Sequence, residues 1–162
     1  MTRADIIATT INNNTVQYNG GGTHYVVQKF GVASTFYIFF IDSAADLFYS
    51  KSTDGGFTWS NPVTVFTGSI VAFSIFYDRW SGIAADLVHM AYTESGNNDI
   101  LYRSLDIATD TLGTQTTVFA GTSSAANGAL TIWRSRGTTT LRVAGSIDAG
   151  AEDGAWSSTD GG

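Results

Sequence analysis

Short runs of alternating apolar and polar residues recur along the chain, and clusters of Gly, Asn, Asp and Ser separate them. No window has the 3.6-residue periodicity of an amphipathic helix, and Thr, Val, Ile and aromatic residues are frequent in the runs. The longest apolar run, Phe36 to Ile41, is too short to cross a bilayer. The pattern predicts an all-β chain of short strands joined by tight turns.

The runs repeat with a fixed period. The 22-residue segments Leu47–Gly68 and Ile100–Gly121 align without a gap at an offset of 53 positions. Identical residues fall on each other at the pairs Tyr49 and Tyr102, Thr58 and Thr111, Val65 and Val118, and Phe66 and Phe119. Trp80 and Trp133 have the same offset, and this recurrence favours a packed core position at both sites over a sugar-stacking surface. The segment Ser158–Gly162 repeats Ser52–Gly56 at twice the offset, so the chain contains three copies of one unit.

A period near 50 residues built from short strands is typical of a propeller blade, which has four antiparallel strands. We therefore predict a β-propeller unit of three blades: residues 23–68, 69–121 and 122–162, the third lacking its outer strand. The predicted strands are 24–30, 35–41, 46–51 and 63–67 in the first repeat, 72–77, 87–93, 99–104 and 116–120 in the second, and 129–134, 138–146 and 154–157 in the third.

One segment carries a recognisable motif. Ser52, Asp54, Gly56, Thr58 and Trp59 match the pattern Ser-x-Asp-x-Gly-x-Thr-Trp at every specified position. In this the chain resembles the Asp-box, or BNR-repeat, propellers of the sialidase-like family. The third copy matches the first half of the motif, through Ser158, Asp160 and Gly162, and the second copy has lost the Gly and the Trp.

The motif favours a structural role. Asp followed by Gly forms a tight turn, because Asp bonds the backbone ahead of it and Gly accepts positive φ. The resemblance implies that this turn joins the third and fourth strands, on the face opposite the sugar-binding mouth. We therefore expect no catalytic role for Asp54.

Three blades are too few to close a ring, since propellers carry four to eight. When the period is continued past Gly162 to residue 1, residues 3–11 fall on the missing outer strand, so we predict residues 1–12 as a closing outer strand. Two chains would give the six blades that the sialidase family uses, which predicts a homodimer. The alternative is a fragment of a longer propeller.

Charge and composition exclude several partners. The net charge is −6, without the clustered Lys and Arg that nucleic acid requires. The chain contains no Cys, and two isolated histidines, His24 and His89, do not form a zinc site. We find no signal peptide and no transmembrane segment, we predict neither cofactor nor metal, and the composition fits any compartment.

The loops between second and third strands form the predicted rim of the mouth. They supply polar residues that suit a ligand, a cation or a pair of glycosidase carboxylates, or that serve only as turn formers. These residues are Asp42, Glu94, Asn97, Asp148, Glu152 and Asp153. The sialidase Arg-Ile-Pro signature is absent, and Arg79, Arg103, Arg134 and Arg136 are predicted to lie away from the mouth.

The Asp-box motif is intact, whereas the sialidase Arg-Ile-Pro signature is absent. This combination favours a non-catalytic propeller module that binds glycan or protein or has a structural role. Such a module resembles sialidase-like phage and environmental proteins. A sialidase-like glycoside hydrolase is one alternative. A truncated or engineered half-propeller without an evolved ligand is another.

Overall fold

In the computed structural model the chain is all-β. The structure describes residues 24–79, 86–122, 130–148 and 152–160, which form three antiparallel sheets and contain no helix. Strands that follow one another in sequence pair with each other in each sheet, except at the outer edge of the second sheet, where the last two strands pair with the same neighbour. This confirms the all-β prediction. The predicted closing strand at residues 1–12 lies outside the described residues.

Sheet I contains four strands in the order β1-β2-β3-β4. Each lies within one or two residues of its predicted bounds. The strands are β1 (His24–Gln28), β2 (Phe36–Ile41), β3 (Leu47–Ser52) and β4 (Val63–Phe66).

Sheet II contains five strands, one more than predicted. The additional strand, β8, is a two-residue segment that pairs with the end of β7, ahead of the predicted outer strand β9. The strands are β5 (Ile70–Asp78), β6 (Leu87–Glu94), β7 (Asp99–Asp106), β8 (Thr111–Leu112) and β9 (Thr116–Phe119).

Sheet III contains three described strands, β10 (Leu130–Arg134), β11 (Leu141–Asp148) and β12 (Glu152–Ser158). The predicted second strand began at residue 138, whereas β11 begins at Leu141. The reason is a turn at the preceding residues, in which the backbone N–H and the hydroxyl of Thr138 both donate to the carbonyl of Ser135.

The 53-residue period recurs in the backbone geometry. Ala45 and Asn98, which are 53 positions apart, both adopt positive φ, at 65° and 60°. One residue later, Asp46 Oδ1 accepts the N–H of Gly68 at 2.7 Å, and Asp99 Oδ1 accepts the N–H of Gly121 at 3.0 Å. Strands β4 and β9 also pair with their neighbours through a register shift at the same repeat position. The same local conformation is therefore built twice.

Sheet II lies between the other two sheets and buries both faces. Its residues Val88, Met90 and Tyr92 contribute to an apolar core with sheet I, which includes Phe39 and Tyr49. Its residues Ala91, Ile100 and Tyr102 pack with Ile132 and Val143 of sheet III. Because strand residues alternate between faces, a strand buried on both faces loses the apolar–polar alternation, and β6 is buried along nearly its whole length.

A charged cluster lies between sheets II and III. Arg134 Nη1 donates to Asp78 Oδ2 at 2.5 Å, and both side chains are almost completely buried. The Arg134 Nε–H donates to the carbonyl of Thr138. This ion pair joins β5 to β10, and its burial makes it costly unless both charges remain paired.

His89 is the third member of the cluster. Its Nδ1 lies 2.8 Å from the Tyr102 hydroxyl, and its Nε2 lies 3.9 Å from Asp78 Oδ2. Burial, together with the nearby positive charge of Arg134, lowers the pKa of His89 to about 4, while Asp78 opposes the shift. The imidazole is therefore neutral at pH 7 and serves as a packed core group.

Trp133 corrects a prediction from the repeat. The recurrence of Trp at 53 positions indicated a packed core residue at both sites, but Trp133 is 36% exposed. Alternation along β10 turns Ile132 and Arg134 toward sheet II and leaves Trp133 on the opposite face. Its counterpart Trp80 lies outside the described residues.

The buried histidine makes stability depend on pH. The folded pKa of His89 lies below its ordinary value of 6.5, so folding is penalised as pH falls below 6.5 and the penalty is complete below about 4. We expect the free energy of unfolding to decrease by about 3 kcal/mol from this group between pH 7 and pH 4. Urea unfolding at several pH values measures it. The His89→Phe variant is the control, and an equal pH dependence in both proteins would contradict the assignment.

Candidate functional site

The sheets present two ends with different chemistry. In sheet I the β3–β4 turn lies at one end and the β2–β3 loop at the other, because adjacent antiparallel strands reverse direction. Sheet II repeats the arrangement with the β7–β8 turn and the β6–β7 loop. The motif residues lie at the first end and the predicted rim residues at the second.

The β3–β4 turn is organised by the Asp54 carboxylate. Asp54 Oδ1 accepts the backbone N–H groups of Phe57 and Thr58 at 3.0 and 2.9 Å, and Oδ2 accepts the Thr58 hydroxyl at 2.6 Å. The Ser52 hydroxyl donates to Asp54 Oδ1 at 2.8 Å and accepts the N–H of Gly56. The hydrogen bonds from Thr58 and Ser52 lower the pKa of Asp54 to about 2, so the carboxylate stays charged.

Trp59 and two glycines complete this turn. Gly55 and Gly56 adopt φ values of 83° and 90°, which residues with a Cβ rarely tolerate. The Trp59 indole N–H donates to the carbonyl of Gly56 at 3.1 Å, and its ring lies against the same glycine. The Gly55 N–H donates to the carbonyl of Ser34 in the β1–β2 loop. Every motif residue thus supports the turn itself.

The second copy of the motif also forms a tight turn, but through different hydrogen bonds. Asp110, in the β7–β8 connection, adopts a φ of 58° and accepts hydrogen bonds from Tyr37 at 2.5 Å and from Lys51 at 2.6 Å. Burial alone would raise the pKa of Asp110, but these hydrogen bonds outweigh it and lower the value. Lys51 and Tyr37 belong to sheet I. The turn of the second copy, which has lost the Gly and Trp of the motif, therefore links sheet II to sheet I.

The third copy reproduces the first contact of the motif, since the Ser158 hydroxyl donates to Asp160 Oδ1 as Ser52 does to Asp54. Gly162, the remaining predicted motif residue of this copy, lies outside the described residues.

Two of the predicted rim carboxylates shape their own loops. Asp42 Oδ1 accepts the backbone N–H groups of Ala44 and Asp46, both at 2.9 Å. Glu94 is 5% exposed, and its two oxygens accept the N–H groups of Gly96 and Asn97 at 2.6 and 2.8 Å. These contacts hold the loop conformations and leave the carboxylates partly or fully buried.

The other rim residues differ in accessibility. Asn97 and Asp153 are exposed, whereas the side chains of Asp148 and Glu152 lie outside the described part of the structure. Within residues 24–79, 86–122, 130–148 and 152–160, no group of three or more His, Asp or Glu side chains is placed to hold a metal ion.

Two arginines that could serve a carboxylate-binding site, Arg103 and Arg134, are bonded within the fold. Arg134 is buried against Asp78. Arg103 donates through Nη1 to the carbonyl of Val65 at 2.6 Å and through Nε to that of Gly113 at 2.8 Å, which joins sheet II to sheet I. Both guanidinium groups stabilise contacts between sheets.

The sequence does not predict the Asp78–Arg134–His89 cluster, because it indicates only that His89 does not form a zinc site and that Arg134 lies away from the mouth. A weak signal exists, because Asp78 and Arg134 each end an apolar strand. Their pairing over 56 positions depends on how sheets II and III pack, which periodicity does not specify.

No protein-family model matches the chain, and no curated protein is significantly similar to it. None of the described residues belongs to a helix long and apolar enough to span a membrane.

Replacing Asp54 tests the structural role of the turn. We expect Asp54→Ala to lower the melting temperature by a few degrees, because it removes the acceptor of several hydrogen bonds that close the β3–β4 turn. Thermal unfolding followed by circular dichroism measures the shift. Thr53→Ala, at an exposed position of the same turn, is the matched control. A melting temperature unchanged in both variants would contradict the role given to Asp54.

Proposed function

We propose that this chain is a three-blade unit of an Asp-box β-propeller of the sialidase-like type, and that it acts as a non-catalytic module that binds glycan. Each of the three sheets corresponds to one blade. The observation that carries the proposal is the repeated geometry at 53 positions, which includes the paired Asp46–Gly68 and Asp99–Gly121 contacts, together with the turn organised by Asp54.

The contacts of Arg103 and Arg134 favour binding over catalysis. Sialidases hold a substrate carboxylate through bidentate arginine contacts. In this chain Arg103 donates to the Val65 carbonyl of sheet I, and Arg134 pairs with Asp78 of sheet II. A sialidase-like hydrolase would need other groups to hold the carboxylate of its substrate.

The rim of the β2–β3-type loops is the proposed ligand surface. Its exposed side chains, Asn97 and Asp153, offer amide and carboxylate groups that suit sugar hydroxyls, and Asp42 and Glu94 fix the loops that carry part of this surface. Preformed loops reduce the entropy lost on binding. A glycan is favoured over nucleic acid because the net charge is −6.

The proposal includes a homodimer that closes a six-bladed ring. Sheet II buries both faces between its neighbours, whereas sheet III exposes Trp133 and sheet I exposes Val26, which is 58% exposed. These residues lie on β10 and β1, the first strands of their sheets. In a two-fold dimer, sheet III of each chain would pack on sheet I of the other, and both apolar positions would be covered.

Light scattering of the purified protein tests this closure. We expect a mass of twice 17.2 kDa, because a ring of six blades removes both open faces. The variant Trp133→Asp should shift the mass toward that of one chain, whereas Phe57→Asp, at an exposed apolar position of the β3–β4 turn, is the control for added charge. A folded monomer in the unaltered protein would contradict the dimer but leave the glycan-binding proposal standing.

Binding to an array of sialylated and neutral glycans tests the ligand. For any glycan bound, we expect Asn97→Ala and Asp153→Ala to weaken binding about tenfold each, equivalent to losing one well-formed polar contact. Asn61→Ala, exposed at the opposite end of sheet I, is the control. Hydrolysis of fluorogenic sialosides or common glycosides that disappears in Glu94→Ala or Asp148→Ala would favour the hydrolase alternative instead.

A further inference from the structure

The buried cluster of Asp78, His89 and Arg134 lies where sheet III packs on sheet II. Arg134 belongs to β10, the strand of sheet III that contacts β5 and β6. Asp78 is the last residue of β5, and His89 lies in β6. The Arg134–Asp78 ion pair is almost completely buried, so it holds β10 against β5 only while both charges stay paired.

The imidazole of His89 is enclosed by side chains from three other strands. Its ring lies nearly parallel to those of Phe76 on β5 and Tyr102 on β7, with centroids 6.5 and 6.0 Å away. The charged or titratable groups that face it are Asp78 of β5, the Tyr102 hydroxyl of β7 and Arg134 of β10. None of the surface of His89 is exposed, so bulk water does not reach the ring.

The cluster offers hydrogen-bond partners to a neutral His89 but not to a protonated one. A neutral imidazole carries one N–H, whereas the protonated ring carries two and needs two acceptors. Nδ1 lies 2.8 Å from the Tyr102 hydroxyl, but Nε2 has no hydrogen-bond partner among the described residues. Asp78 Oδ2 is 3.9 Å from Nε2, beyond hydrogen-bond distance. A second N–H on the ring is therefore left without an acceptor.

Protonation of His89 sets up a competition for Asp78. To donate to Asp78 Oδ2, the Nε2–H group must come about 1 Å closer, because N–H···O bonds span about 2.7–3.2 Å. The same oxygen already accepts the hydrogen bond from Arg134 Nη1, and the two positive charges repel each other. Taking Asp78 away from Arg134 leaves a buried charge without its partner, which is strongly destabilising. A proton on His89 thus weakens the contact between β10 and β5.

The interface between sheets I and II is built differently. Its core consists of apolar and aromatic side chains such as Phe39 and Met90. At its edge Lys51 pairs with Asp110. Burial alone would raise the pKa of Asp110, but hydrogen bonds from Lys51 and Tyr37 hold it below the ordinary value of 3.8. This ion pair is therefore retained at pH 4.

We propose that the cluster is an acid-sensitive latch, in which protonation of His89 draws Asp78 away from Arg134 and releases sheet III from sheet II while sheets I and II stay packed. Burial, with the positive charge of Arg134, lowers the pKa of His89 to about 4. Closure is therefore unopposed at pH 7, is penalised as pH falls below 6.5, and carries the full penalty below about 4. The opening differs from global unfolding because it is confined to one interface.

The latch also bears on the proposed ligand surface, a consequence that rests on the proposed function. Asn97 lies in the β6–β7 loop of sheet II, and Asp153 lies near the start of β12 in sheet III. Opening separates these two side chains, so a ligand that contacts both is released in acid. Such a ligand in turn favours the closed state, because binding shifts an equilibrium toward the state that binds.

Hydrogen–deuterium exchange read by mass spectrometry tests the latch sheet by sheet. Labelling at pH 7 and pH 4, with times scaled for the intrinsic amide exchange rate, compares peptides from β2 and β3 with peptides from β10 and β11. We expect the opening equilibrium constant of sheet III to rise about 100-fold from pH 7 to pH 4, the ratio that follows from a pKa of about 4 when closed and 6.5 when open. Sheet I should show no comparable rise.

Neutral replacements of His89 identify the group that takes up the proton. His89→Phe and His89→Gln both remove the titratable ring, and either one suffices if the other fails to fold. In these variants sheet III should open to the same extent at pH 7 and pH 4. His24→Phe is the matched control, because His24 is the other histidine of the chain and lies at the start of β1. This control should keep the full pH effect.

The outcomes decide between local and global responses to acid. Loss of protection in sheet III alone, abolished in the His89 variants and kept in His24→Phe, supports the latch. Equal loss in sheets I and III would overturn it, because the sheets would then open as one unit. Unchanged protection of sheet III at pH 4, or a pH effect that persists without His89, would overturn it as well. Glycan binding measured at pH 7 is independent of these results, so failure of the latch and failure of the proposed function are distinguishable.

Discussion

Burial of sheet II on both faces is the constraint on which the described structure depends. A sheet that packs on two neighbours must present apolar residues on both sides, and β6 does so along nearly its whole length. The two cores that result differ in kind. The one with sheet I is large and aromatic, whereas the one with sheet III is smaller and contains the Asp78–Arg134 pair and His89.

That difference gives the two interfaces different sensitivities. The apolar core with sheet I is reinforced at its edge by contacts in which each charge has a partner, such as Lys51 with Asp110. The interface with sheet III contains ionisable groups that are almost fully buried, so its stability depends on which protonation states are present. It also contains an open groove beside Trp156.

The polar side chains at the two ends of the sheets have different partners. At the end that carries the Asp54 turn, the polar side chains bond to one another and to their own backbone. At the other end, Asp42 and Glu94 stabilise loops while Asn97 and Asp153 remain exposed. A surface whose loops are fixed from within and whose polar atoms point outward is suited to ligand recognition, and this supports the proposed glycan-binding role.

The sequence by itself determined the strands and their period. Alternation of apolar residues and turn signals located β2, β3, β4, β6 and β9 to within one or two residues, because strand patterns and turns are local properties. It also identified the residues of the Asp54 turn, whose partners lie within a few positions of each other. The tertiary structure alone decided which charged side chains meet, as for Asp78 with Arg134 and Lys51 with Asp110, since their pairing depends on how separate sheets pack. The same holds for the exposure of Trp133, because a repeated position is buried only where another sheet covers it.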